Sequence, residues 1–332
     1  MRATQVLRVF DSHTAGNPTR LLLEGIPKLP GSTIAEKRRH FQRNYDFLRT
    51  TLMQEPRGNA GILALLVPPL DPKADYGLIF CDYRGYVDMC IHGTIGVVTT
   101  LFECGLVDKE IQRRGEIKFE TSAGLVSTKA NFSKDRVESV SINNVTSFLL
   151  DEKALNVSGY GEVLVSIAFG GNFYGYVNAD DVGLKIEPPQ LQSILSAGRV
   201  FLKELGRLKV AHPETKKSSE IVGVCFYEDL GKNRSRNIMI AESDLFDRSP
   251  CGTGTCGRMA ILHAKGKFRV GETFRNQSIL STEFRGTILK QTKVGSIPAI
   301  VPQVTGSAYL TGISDIIVSD GDKLGRGFLL TR

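Results

Sequence analysis

One short motif occurs twice in this chain, and it constrains the fold more than any other feature. Residues 90–96 and residues 251–257 both read C-x-x-G-T-x-G, the second copy starting 161 residues after the first. A helix-like stretch follows each copy, and Gly105 and Gly266 each lie 15 positions after their cysteine. Glycine at such a place is typical of a helix C-terminus that needs positive φ. The repeat therefore predicts two similar domains, each with a cysteine, a glycine turn and a helix.

The spacing of apolar residues predicts many strands and few helices. Thr33 is the predicted N-cap of a helix at Ile34–Leu52, and two more helices are predicted after the cysteine motifs, at Ile95–Glu103 and Arg258–Lys265. A polar turn is predicted over Asp11–Pro18. Strands are predicted at Val6–Phe10, Thr19–Glu24, Gly61–Val67, Gly77–Cys81, Ile117–Phe119, Gly124–Ala130, Val163–Ala168, Gly175–Asn178, Val222–Phe226 and Asn237–Ala241. Without steady β-α alternation, these elements favour an α+β fold over a doubly wound parallel sheet.

Charge and hydropathy exclude several classes of protein. The net charge is +7 over 332 residues, but the basic residues are scattered and not interleaved with aromatic ones, so no nucleic-acid partner is expected. The longest apolar run, near Ile62–Val67, is far too short to span a bilayer. The N-terminus lacks the long apolar stretch of a secretory signal. We expect a cytoplasmic protein with no membrane partner.

The six cysteines must serve either packing or chemistry. A chain of this size and class is not expected to carry a disulfide framework, and without a C-x-x-C pair a zinc site has little support. No metal is therefore expected. Four cysteines lie outside the first position of the repeated motif and are expected to be packing residues: Cys81, Cys104, Cys225 and Cys256.

Cys90 and Cys251 each precede a predicted helix, and that position suits proton-transfer chemistry. Unpaired N–H groups and the helix dipole favour negative charge there, which makes a thiolate accessible near neutral pH. The same N–H groups can hold a substrate carboxylate. Two such helix ends directed at one substrate would place a thiolate and a thiol on opposite faces of an α-carbon. That arrangement is what a 1,1-proton transfer requires.

Two other interpretations of the motif stay open from the residues alone. Residues 252–257 match G-x-G-x-x-G, the dinucleotide fingerprint of NAD-dependent oxidoreductases. The preceding segment, residues 247–251, is polar instead of a buried strand, which counts against that interpretation. Alternatively, the two copies are ordinary glycine turns with buried cysteines.

Several segments resemble the proline racemase family, and the match runs nearly from end to end. The family's first cysteine motif is similar to DMCIHGTIG at residues 88–96, and its second to DRSPCGTGT at residues 247–255. Supporting segments are DSHTAG at 11–16, EPRG at 55–58, FGGNF at 169–173 and Arg236-Asn237. The resemblance implies an amino-acid racemase or epimerase, an isomerase acting on a small amino acid without pyridoxal phosphate or metal.

The resemblance also implies the role of each motif residue. Cys90 and Cys251 would be the two catalytic residues, and His92 and Asp247 would contact the substrate nitrogen. The groups that hold the substrate carboxylate would come from Ile91, His92, Gly93, Gly252 and Thr253.

The fold implied by the resemblance has two pseudo-symmetric, β-rich, barrel-like domains of the diaminopimelate epimerase-like type. Each would surround a central helix, and the site would lie in the cleft. We expect residues 1–125, completed by 305–332, to form the first half and residues 126–304 the second. A homodimer is expected.

Three departures from the family pattern affect the expected substrate. Ile91 stands where the family usually has glycine, Asn17 replaces a customary glutamate, and Asn59 replaces a common histidine. The family includes proline racemases, 4-hydroxyproline 2-epimerases and trans-3-hydroxyproline dehydratases, and the dehydratases usually lack the second cysteine. Cys251 therefore favours racemisation or epimerisation over dehydration. Of the two substrates we expect proline, so the expected reaction is interconversion of L- and D-proline, with 4-hydroxyproline epimerisation as the alternative and dehydration as a further one.

Overall fold

The structure is a computed structural model, and it describes residues 3–58, 61–216, 218–241 and 245–330. The chain divides into two compact units. The first comprises Met1–Ile142 together with Gly306–Arg332, and the second comprises Asn143–Thr305. Each unit contains one copy of the cysteine motif. Asn59 lies outside the described residues.

Strands make up most of both units. In chain order they are β1 (Ala3–Thr14), β2 (Asn17–Glu24), β3 (Ile62–Val67), β4 (Tyr76–Cys81), β5 (Tyr86–Val87), β6 (Glu116–Thr121), β7 (Gly124–Ser133), β8 (Arg136–Asn143), β9 (Ser147–Val157), β10 (Gly161–Phe169), β11 (Phe173–Asn178), β12 (Val210–Ala211), β13 (Ser218–Ser219), β14 (Ile221–Asp229), β15 (Arg234–Ile240), β16 (Thr273–Gln277), β17 (Glu283–Val294), β18 (Ile297–Gly306) and β19 (Ala308–Ser319). The α-helices are α1 (Ile34–Met53), α2 (Ile91–Glu103), α3 (Lys109–Arg114), α4 (Leu191–Leu205) and α5 (Gly252–Ala264). Among the helices that the structure describes, none combines the length and the hydropathy needed to cross a membrane. The composition of the units confirms the predicted α+β class.

In the first unit, strands surround helix α2. β1 pairs antiparallel with both β2 and β19, and β2 continues in parallel to β3. β3 then pairs antiparallel with β4, β4 runs parallel to β6, and β6 forms a hairpin with β7. Helix α2 packs against β1, β2, β3, β7 and β19, and each of its residues from Ile91 to Phe102 is buried. A helix that is buried on every side is part of the core, and this one carries the first cysteine motif.

In the second unit, the strands close into a ring. β9, β10 and β11 pair antiparallel, β11 runs parallel to β14, β14 pairs antiparallel with β15, and β15 runs parallel to β16. β16, β17 and β18 follow antiparallel, and β18 returns to β9 through the pairs Ala299–Phe148 and Ile300–Ser147. Closure satisfies the backbone groups that a free sheet edge would expose. Helix α5 packs against β9, β10, β11 and β17, so the second motif also lies in a core.

Both motif helices end in the predicted way. Gly105 and Gly266 adopt φ values of +62° and +69°. In each case the N–H of the following residue donates to the carbonyl five positions earlier, at 2.8 Å. This 6→1 bond closes the helix end only when the preceding residue is left-handed, which explains the glycine. The predicted N-cap of α1 is confirmed as well, because Thr33 Oγ1 accepts the N–H of Glu36 at 3.1 Å.

Some predicted boundaries were wrong. Helices α2 and α5 begin directly after their cysteines, and not at Ile95 and Arg258, so the glycine-rich motifs form the first helical turns. Packing inside the strands stabilises those turns despite the low helix propensity of glycine. β1 continues to Thr14 because β19 pairs along it, which leaves only a short turn where Asp11–Pro18 was predicted. Helix α4 was not predicted.

The division between the units also differs from the expected one. It falls after Ile142, whereas the expected boundary was at residue 125. β7 stays with the first unit because it forms an antiparallel hairpin with β6, in which Thr121 faces Gly124.

Candidate active site

Cys90 lies at the N-cap of α2. Its backbone is extended (φ −142°, ψ 108°), and its Sγ accepts a hydrogen bond from the N–H of Gly93 at 3.3 Å. Its carbonyl begins the helical ladder by accepting the N–H of Thr94 at 3.0 Å. The N-terminal end of a helix carries partial positive charge, so the field at this sulfur favours negative charge.

His92 lies between Cys90 and a side chain from the start of β2. Its Nδ1 is 3.4 Å from Cys90 Sγ, and its Nε2 is 3.0 Å from the amide nitrogen of Asn17. An amide –NH₂ can only donate, so Nε2 accepts and the neutral ring carries its proton on Nδ1, facing the sulfur. The backbone of His92 is fixed too, because its carbonyl accepts the hydroxyl of Thr14 at 2.8 Å. Asn17 thus orients the hydrogen-bond donor of His92 toward Cys90.

Ile91 occupies the first helical position of α2. Its side chain is buried, as are those of Cys90 and His92. The predicted residues Cys90, Ile91, His92 and Gly93 therefore form one continuous segment at the start of a buried helix. Their expected contacts with a substrate stay predictions.

Cys251 lies at the N-cap of α5 in a different conformation. Its φ is +53° and its ψ is 97°, in the left-handed half of the map that residues other than glycine rarely adopt. Such a conformation costs about 1–3 kcal/mol and persists where surrounding structure enforces it. As the structure describes it, the Cys251 side chain makes no capping hydrogen bond to the helix, which is the main difference from Cys90.

The turn that holds Cys251 is built by Asp247. Asp247 Oδ1 accepts both the N–H (2.8 Å) and the hydroxyl (2.7 Å) of Ser249, and Ser249 Oγ in turn accepts the N–H of Cys251 at 3.2 Å. The carbonyl of Pro250 accepts from Asn276 Nδ2 at 3.2 Å. Asp247 is buried and has this structural task beside any contact with a substrate nitrogen.

The first turn of α5 is anchored to β11. Thr253 Oγ1 is 2.9 Å from the hydroxyl of Tyr174 and 3.9 Å from Cys251 Sγ. The hydroxyl of Tyr176 donates to the carbonyl of Gly254 at 2.9 Å. Gly252 and Thr253 are both buried, so these predicted residues also lie at the start of a buried helix.

The other four cysteines lie where a thiol stays protonated. Burial raises the pKa of Cys81, Cys225 and Cys256, and it raises the pKa of the half-buried Cys104 as well. Cys81, Cys225 and Cys256 are buried, as residues that pack in a core are.

Two residues of the site were missed by sequence reasoning. Asn17 was noted only as a departure, although it contacts His92, and Cys225 was treated as packing, although it lies in one buried cluster with Cys251. Both contacts join residues far apart in the chain, so no local pattern could reveal them. A signal did exist for Asn17, because it immediately follows a segment that resembles the family.

Comparison with known proteins shows which family this chain is similar to. The sequence model of the proline racemase family matches residues 9–329. The chain is 37% identical over 335 residues to a proline racemase from Acetoanaerobium sticklandii, covering 99% of each chain. It is 36% identical over 335 residues to a trans-3-hydroxy-L-proline dehydratase from Bacillus cereus, covering 99% of this chain and 100% of that one. A hydroxyproline epimerase from Agrobacterium vitis, solved with bound trans-4-hydroxy-L-proline, superposes with a TM-score of 0.92 at 30% identity, covering 99% of this chain and 97% of that one.

Proposed function

The chain belongs to the proline racemase family, and from that premise we propose that it interconverts L- and D-proline without a cofactor. Its relatives include a proline racemase and a hydroxyproline epimerase, which are isomerases, and this chain belongs to the same class. Cys90 and Cys251 are the two proposed bases. We also infer the pseudo-symmetric, diaminopimelate epimerase-like arrangement, the homodimer and the cytoplasmic location from the resemblance.

One observation supports the proposal most directly. Each unit holds a cysteine of the repeated motif at the N-terminus of a helix enclosed by strands. A helix N-terminus inside a core offers backbone N–H groups for a carboxylate in a region of low dielectric constant, where such interactions are strong. The proposal requires both sulfurs to reach opposite faces of one α-carbon.

The proposed chemistry balances protons at each step. With Cys251 as thiolate and Cys90 as thiol, Cys251 takes the α-proton and becomes a thiol, while Cys90 donates its proton to the other face and becomes a thiolate. The product is inverted and the two cysteines have exchanged protonation states, so the reverse reaction uses the opposite assignment. Fixed N–H dipoles stabilise the charge that develops beside the carboxylate.

His92 has a defined task in this scheme. Its Nδ1–H faces Cys90 Sγ at 3.4 Å, where it stabilises the thiolate that forms when Cys90 loses its proton. The proposed contacts of His92 and Asp247 with the substrate nitrogen, and of Ile91, Gly93, Gly252 and Thr253 with its carboxylate, rest on the family resemblance.

The nearest alternative is epimerisation of 4-hydroxyproline at the α-carbon. The bound ligand of the Agrobacterium vitis epimerase favours it, and the chemistry at the two cysteines would be the same. Dehydration of trans-3-hydroxyproline is less favoured. It needs only one base, which removes the α-proton, whereas this chain has both of the cysteines that a two-base racemisation uses. The oxidoreductase interpretation is wrong: residues 252–257 lie within α5, and residues 247–250 before them are not a strand.

Isotope exchange tests the reaction class. Purified protein in deuterated water, without added cofactor, should convert L-proline to D-proline and introduce deuterium at the α-carbon. Chiral chromatography over proline, the 4-hydroxyproline epimers and trans-3-hydroxyproline identifies the substrate. Dehydration of trans-3-hydroxyproline without racemisation of any substrate would contradict the proposal.

Substitution of the cysteines tests the two-base scheme. Cys90→Ser and Cys251→Ser should each fold and lose most racemisation, because a hydroxyl is a much weaker acid than a thiol. The double variant should be little worse than either single one, since one base alone cannot complete inversion. Cys104→Ser, at a half-buried cysteine outside both sites, is the control and should keep its activity. Near-native racemisation by either single variant at Cys90 or Cys251 would refute the scheme.

A further inference from the structure

The sulfurs of Cys90 and Cys251 have different polar neighbours, and the difference concerns Cys225. Cys90 Sγ receives the N–H of Gly93 at 3.3 Å. In the described structure the Cys251 side chain makes no capping hydrogen bond to α5. Cys251 Sγ therefore lacks the backbone N–H donor that Gly93 supplies to Cys90. The hydroxyl of Thr253 lies 3.9 Å from Cys251 Sγ, and the thiol of Cys225 packs with Cys251 in the same buried cluster.

The geometry around Gly254 explains how the two sulfurs meet. Cys225 lies on β14, opposite Met239 of β15, and its side chain is fully buried. A Cβ added to Gly254 would lie 2.9 Å from Cys251 Sγ and 3.3 Å from Cys225 Sγ. Both sulfurs therefore border the same small space, which only glycine at position 254 leaves open.

The direction of a hydrogen bond between Cys225 and Cys251 follows from burial. Burial, followed by the hydrogen bond and the charge of Cys251, raises the pKa of Cys225 well above its ordinary value. Cys225 therefore stays an S–H group in the neutral range, and when Cys251 is a thiolate only Cys225 has a proton to donate.

We propose that Cys225 is a positioning residue whose S–H donates a hydrogen bond to the Cys251 sulfur and favours its thiolate form. The inference rests on the proposed role of Cys251 as a base, and it assigns to Cys225 in the second unit the part that Gly93 N–H plays in the first. A hydrogen bond to a charged acceptor is stronger than one between neutral groups, so it gains strength when Cys251 loses its proton.

Other titratable groups lie around Cys225 and Cys251, and the test must separate their effects from that of Cys225. Asp247 lies on the turn before α5, Tyr174 and Tyr176 on β11, and Cys256 on α5. Burial raises the pKa of Tyr176 and of Cys256, so both stay neutral together with Cys225. Asp247 is the carboxyl group among these residues, and as a carboxylate it would oppose the thiolate that Cys225 favours.

Titration of thiolate ultraviolet absorbance tests the proposal without substrate. In a Cys90→Ser background the four cysteines other than Cys251 have raised pKa values, so the signal in the neutral range reports on Cys251. Adding Cys225→Ala should move the midpoint to higher pH and lower the thiolate fraction at neutral pH roughly three- to tenfold, as expected for loss of one hydrogen bond. Cys225→Ser keeps a donor and should remain close to the parent. Thermal unfolding confirms that each variant is folded.

Cys256→Ala is the matched control. It removes another buried thiol near Cys251, but that thiol is hydrogen-bonded to Asn144, so the Cys251 titration should not move. The proposal is overturned if Cys225→Ala leaves the titration unchanged, if alanine and serine at 225 act alike, or if the control shifts as much. A parent without any Cys251 thiolate signal below the range of tyrosine ionisation would also overturn it. Failure of racemisation with the shift intact would reject the proposed function and leave this inference standing.

Discussion

At the scale of single residues, the two candidate bases show how one motif supports different local chemistry. Cys90 has an extended backbone and interacts with a backbone N–H and with His92. Cys251 has a left-handed backbone, and its turn depends on the buried carboxylate of Asp247 through Ser249. A racemase needs both sulfurs to act as acid and as base, and unequal surroundings do not prevent this. They do mean that substitutions around each sulfur will have different effects.

Asn17 gives the sharpest test at this scale. Asn17→Ala removes the hydrogen bond to His92 Nε2, and kcat/KM for racemisation should fall about tenfold, the cost of one buried hydrogen bond. Asn17→Asp supplies only acceptors, so Nε2 must carry a proton and the ring should stay doubly protonated to a higher pH. NMR titration of the His92 ring measures this shift, and the pH profile of the rate should move with it.

Asn131→Ala provides the control for Asn17. Asn131 is a partly buried residue of the first unit whose amide donates to the hydroxyls of Ser139 and Ser141, far from the motif in sequence. Its removal should change neither the rate nor the His92 titration. An Asn17→Ala variant that behaves like Asn131→Ala would show that Asn17 does not position His92.

The limits of sequence reasoning are also visible at this scale. The repeated motif was enough to identify Cys90 and Cys251 as candidates and to place them at helix starts, where the structure has them. The neighbours that orient them come from other elements, Asn17 from β2 and Cys225 from β14. Such contacts depend on strand pairing, which a residue pattern does not encode locally.

At the scale of elements, glycine was misleading at the start of the motif helices and informative at their ends. Helix propensity argues against the glycines of the first turns, so both helices were predicted to start too late. Burial among strands overrides that cost in the structure. At the C-termini, backbone geometry decides, because a left-handed residue is required whatever surrounds it. Local rules predict best where the constraint itself is local.

The C-terminal glycines can be tested directly. Gly105→Ala and Gly266→Ala should each lower the free energy of unfolding by about 1 kcal/mol, the cost of a left-handed conformation for a residue with a Cβ. A Cβ at either position meets no atom within 4 Å, so the loss would come from the backbone alone. Gly85→Ala is the control, since its Cβ also has free space and its φ is not positive. Urea unfolding measures all three, and an equal loss in Gly85→Ala would contradict the argument.

At the scale of the whole molecule, the order of strand pairing could not be predicted. Individual strands and the α+β class followed from the pattern of apolar residues. The pairing of β1 with β19 joins the two ends of the chain, and the pairing of β18 with β9 closes the ring of the second unit. Neither depends on a turn sequence, since the partners are separated by many other elements. The return of the C-terminal strand was expected only because of the family resemblance.

The first unit needs the C-terminal strand β19 to pair with β1, whereas the second unit closes through β18 and β9. Loss of the C-terminal residues should therefore affect the first unit more than the second. Removing residues 306–332 deletes β19, which pairs with β1 from Ala3 to Thr14. It also removes the two backbone hydrogen bonds between Phe328 and Glu55. The first unit should then lose its protection against proteolysis, because β1 becomes an edge strand that pairs only with β2. The second unit, whose ring closes within Asn143–Thr305, should stay protected. Limited proteolysis with mass spectrometry measures both, and a synthetic peptide of residues 306–332 should restore protection of the first unit. Equal protection, or equal loss, in the two units of the truncated chain would contradict this account.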